Sequence, residues 1–221
     1  MLLRRKRIRN LHLRVSPPDG RVSLSAPVRM PIEAIHAFAA SKLDWIRRKR
    51  ALFPGREPAP APSYCDGETH DLWGNRYPLR VAEKPGTAGV EFQGGAILLQ
   101  IPPGTTTERR ASLLALWYRT QVREAALPLI AQWEPRMGVR VEALFVQRMR
   151  TRWGSCQIRD RRIRLNSELG KKPIDCFEYV VVHEMAHLLV RLHDRRFRAL
   201  LDRFLPDWRE RQRRLNRREP G

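Results

Sequence analysis

The sequence predicts an α+β chain, β-rich at its start and helical toward its end. Three patterns predict it. Apolar and polar residues alternate over 4–29, short apolar runs punctuated by glycine fill 64–103, and helical periodicity runs through 107–136 and again from Phe177. With 42% apolar residues in 221, the chain has the material for a real core, which excludes overall disorder.

Each element follows in order. Residues 4–29 read as two strands joined by a turn at Pro17-Pro18-Asp19-Gly20. Pro31 then opens an amphipathic helix ending near Leu52, with Ile32, Ile35, Phe38, Ala39, Leu43, Trp45 and Ile46 as its apolar residues. The proline-rich stretch 54–63 sustains neither helix nor sheet and reads as a linker. Runs at 77–81, 90–92 and 97–101, bounded by Gly67, Gly74, Gly86, Gly94, Gly95 and Gly104, predict a small antiparallel sheet. Residues 107–136 predict a helix that buries Leu113, Leu114, Leu116, Trp117, Val122, Ala125, Leu129, Ile130 and Trp133, kinked or divided at Pro128. Strands at 139–149 and 163–169 precede the last two helices. The expected organisation is a β-rich region over 1–106 with one helix and the linker, then a second domain over 107–221.

The chemistry concentrates in His183-Glu184-Met185-Ala186-His187 and in His193, six residues on. On a helix His183 and His187 lie one turn apart, about 6 Å along the axis, so both rings reach one tetrahedral ion. Glu184 sits about 100° around the helix, unsuited to be an equivalent ligand but able to reach a water on the metal's open side, as a general base must. Pro173, Asp175 and Glu178 suggest the helix start: a proline outside, an N-cap and a capping-box carboxylate. Phe177, Val180, Val181, Met185, Leu188 and Leu189 give it an apolar surface that the histidines interrupt, and buried polar groups need partners. His193 joins them only if the chain breaks near 190–192, because a continued helix would turn it about 240° from His187. No glycine or proline marks that break. Asp194 fits the N-cap of a second helix over 195–204; orienting a ligand ring is its alternative.

Charge and cysteines set outer bounds. Lys and Arg number 43 against 23 Asp and Glu, for a net +20, with arginine supplying nearly all the positive charge. The densest runs, 4–9, 47–50, 159–164 and 209–218, suit a nucleic-acid or nucleotide contact and a solvated basic surface equally well. No apolar run approaches the ~20 residues of a membrane span, and the start lacks a signal peptide's apolar stretch, so the cytoplasm is the expected compartment. Cys65, Cys156 and Cys176 form neither a disulfide framework nor a CxxC knuckle. The phosphate-binding pattern GxxxxGK[ST] is absent.

The segment Arg152-Trp153-Gly154-Ser155-Cys156, then Arg162-Ile163-Arg164-Leu165-Asn166, the run from Tyr179 to His187, and His193 with Phe197 resemble the YgjP-like metallopeptidase family, related to SprT-like and WLM zincins. The resemblance is dense over 145–215 and weaker toward the N-terminal strands and the helix carrying Trp45. It implies a zincin-like core, zinc held by His183, His187 and His193, and Glu184 as the catalytic residue. Arg152, Trp153, Gly154, Ser155 and Asn166 become substrate-contact candidates: Gly154 permits close backbone approach, Trp153 offers a flat wall and Ser155 a hydroxyl. Burial of Trp153 in the core and a simple turn at Gly154 explain those two equally well. Cys156 is expected to be packing, because an activated water already serves as nucleophile. By the same resemblance, strand 162–169 offers its edge to an extended peptide. Arg150, Arg152 and Arg164 are the candidate oxyanion partners.

The expected function is therefore zinc-dependent hydrolysis of a peptide or protein substrate. A metal-dependent nucleotide phosphoanhydride hydrolase and a DNA-associated protease or binding module are the alternatives, since activated water beside many arginines suits phosphates too. Oligomeric state is not readable.

Overall fold

In a computed structural model, residues 2–16, 20–51 and 62–217 are described, and the chain divides into two units at 62/63. Pro17 to Asp19 of the expected turn, Leu52 at the expected helix end and residues 54–61 of the expected linker lie outside the described residues. The boundary expected at 106 falls inside the second unit.

The first unit holds β1 (Leu2–Lys6), β2 (His12–Ser16) and β3 (Arg21–Pro27), in the order β1-β3-β2. The expected pair is present as β2 and β3, antiparallel, and β1 adds a parallel third strand on β3's other edge. The helix expected to run unbroken toward Leu52 is two helices, α1 (Ile32–Ser41) and α2 (Leu43–Ala51). Lys42, at φ −107°, leaves helical geometry and ends α1 with bonds from its N–H to the carbonyls of Ala39 and Ala40. Leu24 and Ala26 from β3 and Ile35 and Ala39 from α1 form this unit's core.

The second unit begins with β4 (Thr69–Leu72), β5 (Asn75–Glu83), β6 (Gly89–Gln93) and β7 (Ala96–Ile101), in the order β4-β5-β7-β6. The sheet is mixed rather than antiparallel. The tight β6–β7 hairpin, turned by Gly94 and Gly95 at φ 58° and 75°, slots β7 between β6 and β5, where it runs parallel to β5. The 31-residue helix α3 (Thr107–Met137) starts on the Thr106 side chain, ends on left-handed Gly138, and carries Pro128 and Pro135 without interruption. Its first half packs Leu113, Leu114, Trp117 and Tyr118 on this sheet, while Val122, Ala126, Ile130 and Trp133 enter the second core. Leu116, expected inside, is 50% exposed.

Three strands follow: β8 (Ala143–Gln147), β9 (Gly154–Gln157) and β10 (Arg162–Asn166), then a 3-10 turn over Ser167–Lys171 and helices α4 (Ile174–Ala186), α5 (Arg195–Phe204) and α6 (Trp208–Asn216). Neither β9 nor α6 was expected. Helix α4 starts one residue before Asp175, with Pro173 at its N-cap and no side-chain cap. Asp175 instead meets Arg214, and Glu178 accepts bonds from Trp133 Nε1 and Arg211, so the expected capping pair ties α4 to α3 and α6. The turn between β4 and β5 closes against the same helix start. Trp73 donates its N–H to Gly170 O and packs its ring on Phe177 at 5.2 Å, while a Cβ on Gly74 would sit 2.8 Å from Pro173 Cγ. Among the described residues no helix is long and apolar enough to cross a membrane.

Candidate metal centre and cleft

Helix α4 is apolar nearly all round, with Cys176, Phe177, Val180, Val181, Val182 and Met185 buried, so it runs through the core and carries its polar residues there. It stops at Ala186, leaving His187 as its C-cap. The N–H groups of Leu188, Leu189 and Val190 bond back to the carbonyls of Met185 and Ala186, tightening the last turn and reversing the chain without glycine or proline. Asp194 then caps α5, its Oδ1 accepting from the N–H of Arg196 and of Phe197 at 2.9 and 3.0 Å. The break that His193 requires is present.

The three histidines meet through like atoms. His193 Nε2 lies 2.9 Å from His183 Nε2 and 3.0 Å from His187 Nε2. The opposite nitrogens are engaged: His187 Nδ1 lies 3.1 Å from the carbonyl of Val190, and His183 Nδ1 lies 3.3 Å from the Tyr179 hydroxyl. A carbonyl only accepts, so His187 carries its proton on Nδ1 and turns an Nε2 lone pair to the cluster. Phe197, buried beneath, packs its ring within 4.6–4.9 Å of all three imidazoles. Burial pushes the His183 imidazolium down to about 3, and positive charge on His187 and His193 pushes it further the same way. Neutral imidazoles facing one point, with no carboxylate among them, repel unless a cation stands between. This donor set fits a borderline divalent metal.

Glu184 is 6% exposed, lines the cleft, and accepts no hydrogen bond from the described residues. Burial pushes its carboxyl up to about 8, opposed by the charge of Arg152. Strand β9 crosses directly over it. A Cβ on Gly154 would lie 2.6 Å from Glu184 Oε1, so only glycine admits this approach.

The cleft in front of these groups encloses about 470 Å³. Of the substrate-contact candidates, Arg152, Trp153, Gly154 and Ser155 line one side, and Tyr179 with Gln212, Leu215 and Asn216 lines the other. Trp153 also packs on the core and donates Nε1–H to Asn216 Oδ1 at 3.4 Å, so wall and packing coexist. Asn166 does not line the cleft. It is 4% exposed, and all its hydrogen-bonding capacity goes to the backbone: Nδ2 donates to Met149 O and Arg152 O, and Oδ1 accepts from the N–H of Met149 and Glu168. It holds the loop that presents Arg152.

Of the three oxyanion candidates only Arg152 reaches the cleft, and Arg164 stacks on Phe145. The free sheet edge is likewise relocated. Strand β10 is central in the order β8-β10-β9, with both edges paired, so the edge beside the histidines belongs to β9. The Cys156 thiol is pushed up to about 11 by burial and then by Glu184, which suits packing rather than attack. The sequence reading missed Tyr179, although a residue four before His183 shares its helix face. It also took 209–218 as a charge run. Much of that charge is internal: Arg209 pairs with Asp202, Arg211 with Glu178 and Asp207, and Arg214 with Asp175.

Residues 9–218 match the description "YgjP-like, metallopeptidase domain". The chain belongs to the YgjP-like metallopeptidase family. Members of that family are metal-dependent peptidases by their description, in keeping with the three convergent imidazoles. Two solved structures are also similar over 41% of this chain. The metallopeptidase zymogen abylysin of Pyrococcus abyssi matches at 16% identity and a TM-score of 0.38 over 90% of its own length. The zymogen jannalysin of Methanocaldococcus jannaschii matches at 14% and 0.34 over 89%. No curated protein matches the chain significantly.

Proposed function

We propose that the chain is a zinc-dependent peptidase in which His183, His187 and His193 hold the ion and Glu184 is the general base. The observation that carries this reading is the convergence of three Nε2 atoms beside a buried carboxylate that none of the described residues hydrogen-bonds. Zinc held by these three histidines would polarise the scissile carbonyl and bring the pKa of a bound water to about 7. Glu184 accepts the proton of the attacking water on a carboxylate oxygen and returns it to the leaving amine. Arg152, beside Glu184 in the cleft wall, offsets the negative charge that develops on the carbonyl oxygen. The unpaired edge of β9 receives the extended peptide backbone, and Trp153, Gly154 and Ser155 contact it.

The test compares zinc-loaded wild type and Glu184→Gln on an unfolded protein. Cleavage is expected to fall by about 100-fold or more while metal content stays unchanged. Equal cleavage by the variant, or consumption of nucleoside triphosphates with no peptide cut, overturns the reading.

A further inference from the structure

The cleft continues past the histidines, and its two arms differ in charge. On the Tyr179 side the walls are aromatic rings and amides, with Arg152 standing against Glu184. Beyond His187 and His193 a second cavity of about 700 Å³ is lined by Cys156, Gln157, Ile158, Arg159 and Arg191, and no carboxylate stands in its wall. Through Ile158 and Arg159 it joins a third, of about 900 Å³, where Val139, Val141 and Leu189 supply apolar surface and Arg140 and Arg161 supply charge. The acid there, Glu134, is engaged: its Oε1 accepts the N–H of Val141 at 2.8 Å.

These arginines differ from those of α6. Arg159, Arg161 and Arg191 are exposed and have no ion pair among the described residues, and Arg140 has only an exposed 3.6 Å contact with Glu142. The nearby Asp160 is taken by Gln157 and Arg162. Strand β9 spans both arms, with Gly154 and Ser155 facing the first and Cys156 and Gln157 the second. A peptide added to its edge therefore passes the histidines and enters the basic arm. At about 3.3 Å per residue, a few residues of extended chain reach Arg159.

We infer that this second arm selects acidic polypeptide: substrates carry Asp or Glu within a few residues on one side of the scissile bond, the side running from His193 past Arg159, with aliphatic side chains beyond. The inference rests on the peptidase reading. Each exposed pair favours the acidic substrate by roughly two- to fivefold, and salt weakens it.

The experiment maps cleavage sites in a complex peptide mixture digested by the zinc-loaded chain. Asp and Glu are expected to be enriched on one side of the cut only, less so as ionic strength rises. R159E/R191E should reverse the preference toward Lys and Arg, and R159Q/R191Q should erase it. In parallel, the zinc-loaded Glu184→Gln chain should bind a fluorescent peptide bearing three glutamates roughly tenfold more tightly than its lysine counterpart. Cleavage without one-sided acid preference, or a preference that both double variants retain, overturns the inference and leaves the peptidase reading standing. Neither cleavage nor peptide binding by zinc-loaded protein overturns both. Binding of a single-stranded oligonucleotide more tightly than the acidic peptide, lost in R159E/R191E, assigns the arm to nucleic acid and overturns the inference.

Discussion

Two half-buried histidine environments in the second unit separate a candidate metal centre from a packing residue. His70, on β4, stacks on Tyr64 with ring centroids 5.7 Å apart, and its Nε2 lies 3.1 Å from Glu68 Oε1, too poorly aligned for a hydrogen bond. Burial lowers its pKa while Glu68 raises it. Among the described residues His183 has no carboxylate facing its ring; two other imidazoles and Phe197 pack on it, and its far nitrogen is held by Tyr179. Burial alone therefore does not mark a ligand. What sets the three-histidine cluster apart is the direction of its lone pairs and, among the described residues, the absence of a carboxylate within it.

The largest test of that contrast is His183→Ala, which is expected to take metal content from roughly one ion per chain to near zero and to abolish metal-dependent cleavage. His70→Ala should leave metal content unchanged, as elemental analysis of both variants will show.

Acid should separate the two environments next. Folded His183 titrates near 3 and unfolded histidine near 6.5, so below 6.5 the unfolded chain binds a proton that the folded one refuses. Stability of the metal-stripped protein is thus complete above about 6.5 and falls by about 1 kcal/mol per pH unit toward 3. Denaturant melts across that window will measure the slope, and His183→Ala should flatten it. An unchanged slope would mean that His183 is solvated in the free protein.

A smaller effect is expected from His70→Ala on stability, a loss of about 2 kcal/mol read by denaturant unfolding, from the lost ring contact with Tyr64. Smallest is Tyr179→Phe. Losing the hydroxyl beside His183 Nδ1 should weaken zinc affinity by about tenfold in a chelator competition, with little change in stability. Equal affinity would reduce Tyr179 to packing.

Much of the centre was legible in the sequence because its determinants are local. The His183/His187 spacing, the Asp194 cap and the break before His193 lie within one short stretch, and helix geometry alone required that break. Other features depend on contacts between distant segments, which no periodicity reports. Trp153 meets Asn216 across 63 residues of sequence, and Asn166 reaches back to Met149 and Arg152. Strand β9 is four residues long, too short for alternation to declare it, and its presence moved the free edge away from β10. The capping pair expected at Asp175 and Glu178 was overridden by arginines of α6, a helix hidden in sequence by its own charge.

The turn at Trp73 and Gly74 bears on how portable the metal motif is. Its backbone closes on Pro173 and its indole on Phe177, at the very start of the helix that carries His183. During synthesis that hairpin emerges well before α4, so the surface against which the helix start docks is already laid down. A fragment beginning at residue 107 would keep His183, His187 and His193 and still expose Phe177, a side chain that is fully buried in the intact unit. The motif is a tenant of the upstream sheet, and grafting it elsewhere means carrying that sheet along.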